Sequence, residues 1–329
     1  MTEAVEDRPA QTAVATGIVV QNLTKTYRGR RVKALDGLSL TVKPGQAVGL
    51  VGPNGAGKTT FLSCLMGFLR YDSGDISIDG HAPEDMLSRR TVGYLPERLT
   101  FDRWMTGRDY MHYHHELAGR PESLRRRECE ELLRRVELAS ESWAQPVKRY
   151  SRGMLQRLGF AQALLGNPRY LLLDEPASGM DPHGVLVVRN LLKELRKEGL
   201  TILLNSHQLD QIERSCDLVA FIDGGKVVRV EDLTEKKEEP QKLVIRFADS
   251  FVSSDGLSHE AFGTLTIKSS TELTEFAGHY ARVTSPSQAS TVGLIKHLVE
   301  AGFPIVEIRP EDSRLERLFM EQMGKREED

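Results

Sequence analysis

The stretch GPNGAGKT, residues 52–59, constrains this chain more than any other. It follows an apolar run at 48–51 and leads into KTTFLSCLMGFL, so it joins a buried strand to a helix. In that context a loop curls its backbone N–H groups around phosphate oxygens. Gly52, Gly55 and Gly57 permit close approach of the backbone. Lys58 supplies a point charge for β- and γ-phosphates, and the Thr59 hydroxyl suits Mg²⁺. With Pro53, Asn54, Ala56 and Thr60, these residues form the expected nucleotide-binding loop, and the fold class around it is α/β.

Two further apolar runs read as buried strands. YLLLD (170–174) ends in Asp174, with Glu175 next in the chain. Asp174 is placed to hold a Mg²⁺ shell, and Glu175 to polarise an attacking water as general base. TILLN (201–205) is followed by His207, a donor toward a γ-phosphate or that water. Between the strands, Pro182 behind Asp181 marks a helix start. Helical patterns also cover 106–119, 121–138 and 151–166. The last opens with YSRGMLQR, where Ser151 and Gly153 offer a hydroxyl, a close-approach backbone and the positive end of a helix dipole. That is a second anion half-site, about a hundred residues beyond the first.

The series 52–59, Ser151 and Gly153, 171–175, 178–181 and His207 resembles the nucleotide-binding subunit of an ATP-binding cassette (ABC) transporter, over roughly residues 17–230. The resemblance implies a phosphate-loop NTPase with a β-rich N-terminal subdomain and a helical subdomain carrying the signature helix. It implies an ATPase using ATP and Mg²⁺, with separate transmembrane permease subunits and a second cassette, the same chain or a close paralogue, packed head to tail. Ser151 and Gly153 are then implied to read the γ-phosphate held by the other subunit. Tyr27 matches the aromatic that stacks on adenine, and Asp181 lies in the loop that crosses the dimer interface. Glu97 stands where the family usually has Gln, and as a carboxylate can still touch Mg²⁺ or water. Tyr150, Arg152 and Met154 replace the usual Leu, Gly and Gln. Arg152 adds charge near the partner nucleotide or faces solvent. The variants GYLPE and YSRGM resemble the branch that drives efflux of drugs, polysaccharides, ions or lipids, which would place the chain at the cytoplasmic face of the cell membrane, held there by its permease.

Two rival readings belong to other classes. A soluble ABC ATPase of DNA repair or translation usually carries tandem cassettes, a long coiled coil or basic arms. A non-hydrolysing regulatory module is disfavoured by Lys58, Glu175 and His207.

Composition excludes other classes. Among 329 residues the net charge is −3, and the basic run at 125–127 is diluted by Glu128, Glu130 and Glu131, so nucleic acid is not an expected partner. Three widely spaced cysteines argue against a disulfide framework or zinc site. His112 and His115 lie one turn apart but lack the surroundings of a metal site. Trp104, Tyr110 and Tyr113 are candidate anchors for a membrane partner. No run of about 18 apolar residues appears. The expected organisation is a tail at 1–16, an ATP-binding domain at 17–232, a charged linker at 233–242 and a small α+β domain at 243–329. In that last domain KLVIRF, GTLTIK, YARVTS and PIVEIR read as strands, 287–301 as a helix, and SRLERLFMEQM as an amphipathic helix.

Overall fold

A computed structural model of the protein describes residues 17–235, 240–248, 259–277 and 279–324. The expected tail at 1–16 and part of the linker lie outside the described residues. The chain divides into two compact units after Thr234.

The first unit begins with β1 (Ile18–Thr26), β2 (Lys33–Val42) and β3 (Ala47–Val51), followed by α1 (Lys58–Leu65) and β4 (Ser73–Ile78). Then come α2 (Met86–Thr91), β5 (Val92–Leu95), α3 (Gly107–Leu117), α4 (Arg125–Arg135) and α5 (Arg152–Ala163). The unit closes with β6 (Tyr170–Asp174), α6 (Pro182–Lys197), β7 (Thr201–Asn205), α7 (Leu209–Ser215), β8 (Leu218–Asp223) and β9 (Lys226–Asp232).

Three strands pair antiparallel in the order β2-β1-β4. Six more pair as β5-β6-β7-β3-β8-β9, parallel except for the last. Every residue of β3, β6 and β7 is buried, as expected for strands covered on both faces of a parallel sheet. The β8–β9 hairpin turns at Gly224 and Gly225, both at positive φ (53° and 77°), the backbone that a two-residue hairpin loop of this kind requires.

The helical insertion between β5 and β6 is fixed by local chemistry. Thr106 caps α3 by accepting from the Asp109 N–H at 3.1 Å. The expected helix at 121–138 opens as a 3₁₀ turn at Glu122–Leu124 and continues as α4. Tyr110 is buried against Phe101, with ring centroids 4.9 Å apart, and so belongs to the packing of this subdomain rather than to an interface. Trp104 and Tyr113 are exposed. His115 is fully buried with Nε2 2.9 Å from Glu128 Oε2, a structural bond.

The second unit runs β10 (Gln241–Phe247), α8 (His259–Lys268), β11 (Glu272–Phe276), β12 (Tyr280–Ser285), α9 (Gln288–Glu300), β13 (Ile305–Pro310) and α10 (Arg314–Gly324). Its strands pair in the order β11-β12-β10-β13, all antiparallel, which with a helix after β10 and another after β12 is the split βαβ, ferredoxin-like arrangement. Leu243, Ile245 and Phe247 pack with Phe262, Leu294 and Leu298 in its core.

One expectation is corrected here. GTLTIK, residues 263–268, is helix α8 and not a strand. Phe262, Thr266 and Ser269 are buried while Ile267 is exposed, a spacing of one helical turn. The buried hydroxyls are satisfied within the helix: Thr266 donates to the Gly263 carbonyl at 2.8 Å and Ser269 to Leu265 at 2.9 Å.

Candidate nucleotide site

The phosphate loop leaves the centre of the six-stranded sheet, since β3 lies between β7 and β8. Two glycines are demanded by the surroundings. A Cβ on Gly52 would fall 2.0 Å from the Ile222 carbonyl oxygen, so the loop and β8 touch backbone to backbone. Gly57, at φ 108°, has the Ala34 carbonyl 2.5 Å from where a Cβ would be. Gly225 adds a bond from its N–H to the Ala56 carbonyl at 3.0 Å. Lys58 Nζ donates to the carbonyls of Gly52 and Pro53 at 2.6 and 3.0 Å. Burial holds its ammonium below the ordinary lysine range, against the opposing pull of Glu175 and Asp174.

The loop opens onto a cleft of about 620 Å³. Asn54, Gly55, Ala56, Gly57, Lys58, Thr59 and Thr60 line one side. Tyr27, Glu97, Glu175 and His207 complete it, so these sequence-predicted residues are brought together around one space. Tyr27 is half-exposed, with its hydroxyl 3.2 Å from Thr60 Oγ1. Ser178, Asn205, Arg30 and Lys33 also line the cleft.

Glu175 sits in a left-handed backbone conformation, φ 53°, which a non-glycine residue adopts only when its surroundings hold it there. Its N–H donates to the Asn205 carbonyl at 2.9 Å. Its carboxylate is gripped on both oxygens. Oε1 accepts from the His207 N–H at 2.9 Å, and Oε2 lies 2.8 Å from His207 Nδ1. A carboxylate so oriented at the edge of a phosphate cleft can take a proton from a water.

Asp174 lies beneath, only 1% exposed. Asn205 Nδ2 donates to its Oδ1 at 2.6 Å. Burial lifts the Asp174 carboxyl above its ordinary value, and the neighbouring Glu97 and Glu175 lift it further, while Asn205 and Lys58 pull the other way. The Asp174, Glu97 and Glu175 carboxylates, with the Thr59 hydroxyl, form an oxygen-only donor set that fits a hard divalent cation. Asn205 Oδ1 is buried without a hydrogen-bond partner at the same place.

Asn205 was not singled out from the sequence. Its signal is register, since the parallel pairing of β6 with β7 sets it directly beside Asp174.

Ser151 and Gly153 do not line this cleft. Ser151 caps α5, its Oγ accepting from the Met154 N–H at 3.2 Å. A Cβ on Gly153 would meet only Ser151 Oγ, at 4.0 Å, so that face of the helix entry is open. Asp181 caps α6, accepting from Gly184 N–H at 2.7 Å. Arg152 is exposed to solvent, as one of the two expectations had it, and its Nη2 also donates to Ser178 Oγ of its own chain at 3.0 Å.

A phosphate loop in the middle of a parallel sheet, an Asp-Glu pair ending the neighbouring strand and a capped helix entry on an inserted helical subdomain define a class of ATP-hydrolysing cassettes. The family described as ABC transporter matches residues 35–178. An uncharacterised ABC transporter ATP-binding protein of Synechocystis is 31% identical over 98% of this chain and 88% of that protein. The daunorubicin resistance ATP-binding protein of Streptomyces coeruleorubidus is 33% identical over 94% of this chain and 96% of that one. Shorter matches reach the methionine import ATP-binding protein of Thermobifida fusca, 39% identical over 72% and 77%, and an uncharacterised Nostoc relative, 39% identical, of whose length the match spans 65%. Among solved structures, a dimeric ATP-binding cassette in a post-hydrolysis state, bound to ADP and Pi, superposes with a TM-score of 0.62 at 25% identity, over 66% of this chain and 99% of that one. The chain belongs to the ABC transporter ATP-binding family, and its first unit is an ABC ATPase.

Proposed function

We propose that the chain is the ATPase subunit of a membrane exporter, and that two cassettes close over two shared ATP molecules. The observation that carries this reading is the separation of its two anion sites: the cleft holds residues 54–60, Glu97, Glu175 and His207, while Ser151 and the open face of Gly153 are left outside it. Two copies related by a two-fold axis would bring each helix entry to the other's cleft and complete both sites. Lys58 would hold the β/γ-phosphates, Thr59, Asp174 and Glu97 would hold Mg²⁺, Glu175 would act as base, and Tyr27 would stack on the adenine. The bound Mg²⁺ would neutralise charge developing between the phosphates.

A second cavity of about 1010 Å³ supports docking of a permease segment. Phe68, Met86 and Leu117 line it as exposed large apolar groups. Tyr94 and Pro96 also line it, within three residues of Glu97 in the nucleotide cleft, so movement of a docked segment reaches the ATP site through one short stretch. Export is favoured over import because the match to the drug-resistance protein runs through both units, whereas the match to the import protein covers less of either chain. Among the described residues no helix is long and apolar enough to cross a membrane, which fits attachment through a partner.

Mixing chains tests the shared site. Ser151→Arg and Lys58→Ala each damage both sites of their own dimer, but a mixed dimer has one site with both lesions and one with neither. ATPase activity should recover to about a quarter of wild type if pairing is random and sites fire independently. Cross-linked mixed dimers with no recovery of turnover or ATP-driven closure would overturn the shared site.

A further inference from the structure

Arg152 stands where the family usually has glycine, at the first position of α5. Its guanidinium lies in its own chain's turn after β6. Besides the bond to Ser178 Oγ, it lies against the exposed Gly179: a Cβ there would fall 2.3 to 2.5 Å from Arg152 Cζ, Nε and Nη1. Gly179 is at φ 67°, a backbone conformation that favours glycine.

Ser178 is a junction. It lines the nucleotide cleft, and its N–H donates to the Glu175 carbonyl at 3.1 Å, closing the turn that carries Glu175 in its left-handed conformation. Two more side chains of α5 reach the same segment. Gln156 Nε2 approaches the Glu175 carbonyl at 3.5 Å, and Arg157 Nη2 lies 3.3 Å from His183 Nδ1. Arg152, Gln156 and Arg157 of α5 thus all reach the stretch from Glu175 to the start of α6.

We infer that Arg152 is a positioning residue acting within its own chain, latching Ser178 and Gly179 so that the entry of α5 and the Glu175 carboxylate move as one body. The helix entry that reads one ATP would thereby set the geometry of the base that serves the other.

A double-mutant cycle on the full chain tests the latch. Arg152→Ala should lower kcat about tenfold, leave KM for ATP within about twofold, and leave the thermal midpoint in place. Arg152→Lys, which keeps one donor, should recover most of the loss. In a Ser178→Ala background, Arg152→Ala should cost less than about twofold more. Fully multiplicative losses, or a raised KM with unchanged kcat, would overturn the latch, the second by making Arg152 a phosphate-binding charge.

Mixing gives a second arm, which rests on the two-cassette reading. Arg152 and Glu175 of one chain serve the same site under this inference. Arg152→Ala mixed with Lys58→Ala then leaves no intact site, and activity should not rise above that of the separate variants. Recovery to about a quarter of wild type would place Arg152 on the partner's nucleotide instead. The Ser151→Arg and Lys58→Ala mixture is the control. If it fails to recover, the dimer reading fails, and the double-mutant cycle alone decides the latch.

Discussion

His207 holds Glu175 twice: its ring Nδ1 lies 2.8 Å from Oε2, and its backbone N–H donates to Oε1 at 2.9 Å. Only the first hold depends on the side chain. His207→Ala should therefore lower kcat by about 10- to 10²-fold, short of full loss of the base, with KM for ATP little changed. A phosphate-release assay checks this, and a variant that binds ATP poorly but turns over normally would contradict it.

Glu175→Gln keeps the size of the side chain and removes its basicity. Hydrolysis should slow by about 10²–10⁴, the usual worth of a positioned base, while ATP still binds. With ATP and Mg²⁺ the variant should accumulate as a dimer. Light scattering that shows only monomer would count against closure of two cassettes over ATP.

Lys58 bonds the Gly52 and Pro53 carbonyls and stands where phosphate charge would lie. Its replacement by Ala removes a charge-assisted bond, worth about 10- to 10²-fold in affinity. Equilibrium binding of a fluorescent ATP analogue measures the loss, and wild-type-like affinity and turnover would remove Lys58 from the site.

Asp174 couples stability to pH. Its carboxyl titrates above the ordinary 3.8 because burial disfavours the charge. Above its folded value the folded chain carries an ionised buried group at a cost that the unfolded chain escapes. As the pH falls through the folded value toward 3.8, the folded chain takes up the proton first and the cost disappears. Asp174→Asn should thus raise the unfolding midpoint at pH 7.5 by a few degrees, with the gain shrinking on acidification, while hydrolysis is lost. Calorimetry across the pH series would contradict this if the gain were absent at neutral pH or constant throughout.

Leu117 is 63% exposed and lines the proposed docking groove. Leu117→Glu should leave the thermal midpoint unchanged and sharply reduce the fraction that pellets with membranes when the permease is co-expressed. Equal pelleting would move the docking surface elsewhere.

The phosphate loop was legible because contiguous residues write its geometry: a strand, three glycines, a lysine and a helix start. The strands at 170–174 and 201–205 were legible because strands buried on both faces must be apolar throughout. Asn205 was not, since its importance comes from pairing beside Asp174, 31 residues away in the chain. Arg152 could be flagged as a departure, but its partner Ser178 becomes visible only when α5 is packed. GTLTIK misled because Thr, Leu, Thr and Ile alternate at the spacing of a strand, while the buried face of α8 is completed by Phe262 and Ser269 on either side of that window. The short strand β11, ELTEF, was not singled out. Only one member of its sequence is strongly apolar on each face, and its place is set by pairing with β12.

The walls of the phosphate loop arrive late in synthesis. β3 and the loop leave the ribosome early, yet the strands on either side of β3 are β7 and β8, made some 150 residues afterwards, and the Ile222 carbonyl and Gly225 N–H that press on Gly52 and Ala56 come later still. A nascent chain carries the nucleotide-binding letters long before it carries their shape. Closing so long a loop makes assembly of this sheet a slow, non-local step. Until the β8–β9 hairpin has emerged, nucleotide has no formed pocket to stabilise, so ATP can favour the finished unit but cannot guide the folding of its first half.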